Sequence, residues 1–327
     1  EKEDLESWSL LHIAAQNNNT ECTKILVAHG ASIEAKDDFG DTALFDAAGG
    51  QDATEVVQLL IEKGADIQVK NNVGETALHR AATGNALKTA CFLIEKGAEI
   101  NAQNENRETP MFYAAEENSK EVIDLFIKQG AHIVIQNNLG ETPLFKAARS
   151  NSGEAARILL VNGADPNHVN VESETPLYVA SQFNATDVID ELFKDIHLNP
   201  YQEDYEGKNP LMIAVENNSK EAVKQLIKKS IAIDKKDYDG NTALFYAARE
   251  ENVELISILL KNGANINEKN NYNETALFFA VDSYSEPTVR TLLENGAKPN
   301  LQNSDGESPL DRAKEDGNSQ IIKLIED

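Results

Sequence analysis

The chain is short of the residues that usually carry cross-links or chemistry. Among 327 residues there are two cysteines, two methionines and one tryptophan. Cys22 and Cys91 are far apart, so a disulfide framework is excluded and a reducing compartment is expected. No apolar run approaches the roughly 18 residues that a membrane helix needs. The opening residues Glu1 to Asp4 are acidic and lack the apolar segment of a secretory signal. Positive charge is scarce, with 30 Lys and Arg against 55 Asp and Glu, a net charge of −25. That balance excludes nucleic acid and anionic membrane surfaces as partners and favours a basic protein or peptide, if it does more than keep the surface soluble.

Catalytic and cofactor signatures are missing as well. There is no phosphate-binding glycine loop, no H-E-x-x-H and no C-x-x-C pair. Asp237-Tyr238-Asp239-Gly240 resembles the start of a calcium loop but lacks its twelve-residue ligand spacing, so it reads as a turn. The six histidines are scattered. No enzyme activity, metal or cofactor is expected. The chain starts at Glu1 and not at Met, and a longer parent protein is expected.

What the chain does have is a repeat. A block of the form Thr-Pro-Leu-x-x-Ala-Ala starts at Ser9, Thr42, Thr76, Thr109, Thr142, Thr175, Asn209, Thr242, Thr275 and Ser308, every 33 or 34 residues. A unit this short cannot bury a hydrophobic face alone, so successive units must stack. In the clearest unit Thr109 and Pro110 form a helix start, and Met111, Phe112, Ala114 and Ala115 give its packed side. A second helix runs from Glu121 to Lys128, with Gly130 expected at the left-handed position after it. Residues Ala131 to Asn138 extend as a finger, and Gly140 closes its turn. Cys22 falls in an apolar slot of the first unit's second helix, and Trp8 with Leu10 are expected to cover that end of the stack.

This grammar resembles the ankyrin repeat over essentially the whole chain. The resemblance implies an all-α solenoid of helix–turn–helix units with β-hairpin fingers, curved to give a concave face. It predicts one domain, 1–327, with units over 1–40, 41–74, 75–107, 108–140, 141–173, 174–207, 208–240, 241–273, 274–306 and 307–327, the first and last acting as caps. The family's usual His of the repeat block stands only at His12 and His79. Phe45, Phe112, Phe145, Tyr178, Met212, Phe245 and Phe278 replace it, trading a buried hydrogen bond for core volume.

Departures from the grammar mark candidate contact regions. Unit six has Asp195 and Ile196 where Gly and Ala are expected, then a long finger with Pro200, Tyr201 and Tyr205. Unit seven has Ser230 in the glycine position, and unit two carries an extra residue at Gly49-Gly50. Non-glycine residues forced to positive φ should make units six and seven the weakest of the array. The resemblance implies that partners meet the fingertips and the exposed side of the first helices. Candidate anchors there are Tyr113, Phe183, Tyr205, Tyr238, Tyr246, Tyr272, Phe279 and Tyr284, with Glu216 and Glu250 as acidic neighbours suited to Lys or Arg. Aromatic side chains at positions such as Tyr246 and Phe279 have a competing role as packing against the finger. The resulting expectation is a non-catalytic scaffold or adaptor that binds a protein segment, in the cytoplasm or alternatively the nucleus. The alternative is a structural spacer or targeting module of a larger channel, cytoskeletal or fused-enzyme protein.

Overall fold

The structure, a computed structural model, describes residues 9–50 and 53–326. Trp8 lies outside the described residues. Those described form twenty α-helices and no strand. They fall into two compact units, residues 1–171 and 172–327, with five helix pairs in each. Among the described residues no helix is long and apolar enough to cross a membrane.

Each pair follows from the repeat block. In the first unit Thr109 sits extended at the N-cap with Pro110 at the first helical position, and helix Pro110–Glu116 follows. Asn118 then turns the chain at φ 54°, a left-handed conformation that asparagine adopts readily, and helix Lys120–Lys128 returns. The alanine pair Ala114 and Ala115 is fully buried, as are Phe112, Ile123 and Phe126. Small residues on the first helix let its neighbours approach, while larger ones on the second fill the wider space. Burying each Phe in this way contributes about 2–3 kcal/mol relative to leaving it in water.

Fingers connect the pairs, and most are pinned by a buried Asp or Asn. Asn137 Oδ1 accepts backbone N–H bonds from Leu139 and Glu141, both at 2.9 Å. Asp37, Asn71, Asp204, Asn270 and Asn303 make the same pair of bonds in their fingers. Two backbone bonds close the turn beside them, Asn137 N–H to Glu141 C=O at 2.9 Å and Gly140 N–H to Asn137 C=O at 3.0 Å. Adjacent fingers touch through one more, such as Asn138 N–H to Asn106 C=O at 2.9 Å. Isolated bonds of this kind do not make a ladder, so the expected β-hairpin appears as a tight turn and not as paired strands.

The histidine positions behave as their chemistry requires. His79 Nδ1 accepts from the Thr76 N–H at 3.1 Å and meets the Thr76 hydroxyl at 2.9 Å; its Nε2 reaches the Glu108 carbonyl at 3.2 Å. Nδ1 is therefore the acceptor and Nε2–H the donor. Burial pushes this imidazole down to about 4, so it is neutral near pH 7. Where phenylalanine replaces histidine the volume is kept and the bond is lost. The hydroxyls of Thr42, Thr109 and Thr242, which precede Phe45, Phe112 and Phe245, are buried without a hydrogen-bond partner among the described residues.

Three sequence expectations need correction. In unit six, Asp195 does not take the left-handed place. Helix Thr186–Leu192 has seven residues where the other units' second helices have eight or nine, and it ends at Phe193 in right-handed geometry, φ −71°. Seventeen residues then connect it to Pro210, against fourteen between Lys128 and Pro143. The longer connector removes the need for positive φ there, so of these two units only unit seven has a non-glycine residue at positive φ in the glycine position, Ser230 at φ 64°. Cys22 is exposed, and Thr23 is the buried residue of that turn. Leu10 is 69% exposed and lines an open apolar depression with Ile13, Ala14, Ile25 and Leu26, so it does not seal that end.

Two tests follow from these observations. Thr76→Val should cost about 0.5–1.5 kcal/mol because it removes the hydroxyl bond to His79 Nδ1 and leaves that nitrogen only the Thr76 N–H, whereas Thr109→Val should be neutral or stabilising because its hydroxyl has no partner among the described residues. Equal losses in urea unfolding would contradict that assignment. Ser230→Gly should raise stability by about 1 kcal/mol, while Asp195→Gly should not. The shift in denaturation midpoint reads both.

Candidate partner-binding surface

The predicted anchors separate into buried and exposed groups. Tyr246 is 5% exposed. Its hydroxyl donates to Asp237 Oδ2 at 2.5 Å, and its ring lies under Lys208 and Arg249, whose charged groups are 5.3 and 4.9 Å from the ring centroid. Burial first, then the Asp237 acceptor, holds this phenol far above the usual tyrosine range. Phe279 is half-buried and meets Phe245 edge-on, with centroids 5.3 Å apart. Tyr113, in the other unit, is also half-buried; it donates to Glu75 and accepts from Asn104 Nδ2 at 2.9 Å. Tyr246 and Tyr113 tie their first helices to a finger, Phe279 packs on the preceding first helix, and Tyr246 offers no exposed face.

The remaining five are exposed and all lie in the second unit. Tyr205, Tyr238 and Tyr272 are 66, 65 and 58% exposed, on three consecutive fingertips. Backbone bonds tie those fingers in series, from Tyr238 N–H to Glu206 C=O at 3.1 Å and from Asn271 N–H to Asp239 C=O at 2.9 Å. The Tyr238 ring rests on Gly207, where a Cβ would come within 2.6 Å of it, so glycine at φ 80° is required there by both space and backbone. Phe183 and Tyr284 are exposed at the ends of first helices. Tyr201, in the long unit-six connector, is a further exposed ring beside this group in sequence. The irregular finger was its signal, but nothing in the sequence separated it from a neutral loop residue.

The acidic neighbours are already occupied. Glu216 takes Lys208 at 2.9 Å and Arg249 at 2.6 Å, and Glu250 takes Arg249 at 3.1 Å. Asp282 pairs with Arg312 at 3.1 Å. These carboxylates stabilise the chain's own cations, so Glu216 and Glu250 are not free charges awaiting a ligand. No group of His, Cys, Asp and Glu suited to a metal ion occurs among the described residues.

Tyr284 stands out by its backbone. It occupies the left-handed turn between two helices at φ 55°, a place held elsewhere mostly by asparagine. There Asn118 Oδ1 accepts from Ala155 N–H at 2.9 Å and Asn184 Oδ1 from Ala222 N–H at 2.8 Å, capping the next unit's second helix. In the next repeat the equivalent Ile321 N–H is capped by Asn318 Oδ1 at 3.1 Å, so the tyrosine loses no cap but still pays for its φ, which is the pattern of a residue kept for its ring. Tyr284→Asn should therefore stabilise the chain by about 0.5–1 kcal/mol. A lowered midpoint in chemical unfolding would show instead that the ring is needed for folding.

Comparison with known proteins accords with this geometry. A family described as "Ankyrin repeats (3 copies)" matches in overlapping segments, 11–104, 78–170, 111–201, 150–237, 177–270, 211–303 and 263–327. No curated protein sequence matches the chain. Among solved structures, the ankyrin repeat domain of Bcl-3, described as a unique member of the IkappaB protein family, superimposes with a TM-score of 0.61 at 26% identity. That match covers 67% of this chain and 99% of the Bcl-3 domain. With its repeat block, its helix pairs and its fingers all matched from residue 11 to residue 327, the chain belongs to the ankyrin repeat family.

Proposed function

We propose that the chain is a non-catalytic adaptor, acting as a single ten-repeat domain, whose second unit docks a protein segment on three aromatic fingertips and two first-helix ends. Ankyrin repeats generally mediate protein–protein interaction and are typically non-enzymatic. The observation that carries the finer reading is the row Tyr205, Tyr238 and Tyr272, each more than half exposed on fingers tied by backbone bonds. Large rings held on a rigid frame bury much area at little entropic cost, which is the chemistry of interface hot spots. Phe183 and Tyr284 extend the surface to the helix ends, and Tyr284 occupies its place at a backbone cost.

A basic partner suits the net charge of −25, which would speed encounter at low salt. Because Glu216 and Glu250 are ion-paired internally, that preference is one of long-range attraction and not of specific contact. The cytoplasm, or the nucleus, is the proposed setting.

The test compares the intact chain with a Tyr205→Ala, Tyr238→Ala, Tyr272→Ala variant in capture from native lysate, followed by affinity measurement on the captured protein. These substitutions lie on the surface and should leave the helical circular dichroism unchanged. Loss of at least 100-fold in affinity, about 3 kcal/mol, is expected from removing three anchors. A Tyr246→Phe control should bind as the intact chain does. Unchanged affinity in the triple variant would move the site away from the fingertips, and the absence of any captured partner would favour a spacer.

A further inference from the structure

The first unit holds a pocket that the fingertip reading does not use. Three successive first helices, Leu10–Gln16, Ala43–Ala48 and Ala77–Thr83, end near one another. The middle one has six residues where its neighbours have seven, and it closes on Gly49 and the additional Gly50. The residue that follows the first helix is Glu117, Ser150, Asn217 or Glu250 in other repeats, but Gly49 and Gly84 in these two. The glycines let the two turns come so close that a Cβ on Gly84 would lie 2.1 Å from the Gly49 carbonyl oxygen. Missing side chains and an inserted residue together leave a cavity of about 320 Å³, lined by Gln16, Asp46, Gly49, Arg80, Thr83 and Gly84 among others. That size suits a single side chain or a very small ligand.

The walls specify what enters. One carboxylate oxygen of Asp46 is buried and has no hydrogen-bond partner among the described residues. Buried polar atoms are nearly always paired, so an unpaired acceptor on a side chain that lines the cavity calls for a donor. Asp41 and Asp37, on the adjoining finger, add negative potential at Asp46; Arg80, from the next repeat, offsets it in part. Arg80 lies along the rim with its guanidinium 5.8 Å from the Phe45 ring centroid and its stem beside Gly49. Burial, reinforced by Asp41 and Asp37, pushes the Asp46 carboxyl up to about 7.

We propose that this pocket receives a lysine side chain from a protein partner, with the ammonium donating to Asp46. A compact ammonium passes the Arg80 guanidinium more easily than a second planar guanidinium would. Arg80 is then free to donate to a carbonyl of the incoming segment. The site stands in the first unit and is independent of the fingertip reading. An incoming cation favours the ionised carboxylate, so binding strengthens as pH rises through the Asp46 titration. With its carboxyl near 7, affinity should grow about tenfold between pH 6 and pH 8.

The experiment uses the full chain labelled with ¹⁵N-glycine and titrated with acetyl-Gly-Lys-Gly-amide, with norleucine and arginine peptides alongside. Expected are saturable shifts of the Gly49, Gly50 and Gly84 amides with the lysine peptide and none with norleucine. Asp46→Asn keeps the shape and removes the charge; it should weaken binding at least tenfold and flatten the pH profile, while its other glycine signals stay in place to show that it folds. Binding of the norleucine peptide as tight as that of the lysine peptide would overturn the proposal. So would undiminished lysine binding by the Asp46→Asn variant, or no shift at about 10 mM peptide. Tighter binding of the arginine peptide would overturn the choice of ammonium.

Discussion

The fingers of this chain depend on a buried acceptor. A side-chain oxygen of Asp or Asn takes two backbone N–H groups, two and four residues on, and so locks a turn that has only two backbone bonds of its own. The finger projects at a fixed angle because these donors are satisfied inside it. Its far arm then delivers the threonine that starts the next helix. The helix pairs, the alanine contacts and the fingertip row all inherit their spacing from that turn. Where the acceptor is Asp204 or Asp237, a tyrosine hydroxyl adds a further bond on the other oxygen, from Tyr178 at 2.7 Å and Tyr246 at 2.5 Å.

The repeat made most of the fold legible. A period of 33 or 34 with Thr-Pro, Ala-Ala and a later Gly dictates two helices and a turn, and little else satisfies it. Histidine-to-phenylalanine exchange was also readable, since a packed slot accepts either. Its consequence, an unpaired threonine hydroxyl at Thr42, Thr109 and Thr242, required coordinates. So did the fate of Asp195. Register alone placed it at a left-handed turn, but the helix ends early and the connector absorbs the difference. A loop can solve a backbone problem in several ways, and sequence does not say which.

The candidate surface was legible in part, for a related reason. The place of each residue in the repeat block told which ones lie near the groove, but not whether a ring there turns outward or inward. Tyr246 and Tyr113 turn in because an acceptor, Asp237 or Glu75, waits within reach of the hydroxyl. Tyr205, Tyr238 and Tyr272 sit at the tip of the turn and stay more than half exposed, even where the Tyr238 ring rests on Gly207. The ion pairs of Glu216 depend on partners 8 and 33 positions away in sequence, beyond any local pattern. The extra residue at Gly49-Gly50 was visible as an irregularity, yet only its close approach to Gly84 shows that these glycines frame a cavity.

The turn acceptors are not all of one kind, and this bears on how the protein ages. Asn71 donates its amide to Asp41 at 2.9 Å, and Asn137 donates to Glu108 at 3.3 Å and Glu141 at 3.1 Å. The oxygen of each amide shapes its own finger while the nitrogen quiets a neighbouring carboxylate. Spontaneous hydrolysis of such an amide leaves the accepting oxygen in place and turns the donor into a second acceptor. Two carboxylates would then face each other in a site with little water, and like charges held that close cannot both stay ionised. Slow chemical damage at these asparagines would thus preserve the drawing of the finger while removing its side-chain tie to the preceding one and leaving only the backbone bond, loosening the array from repeat to repeat without unfolding any one of them.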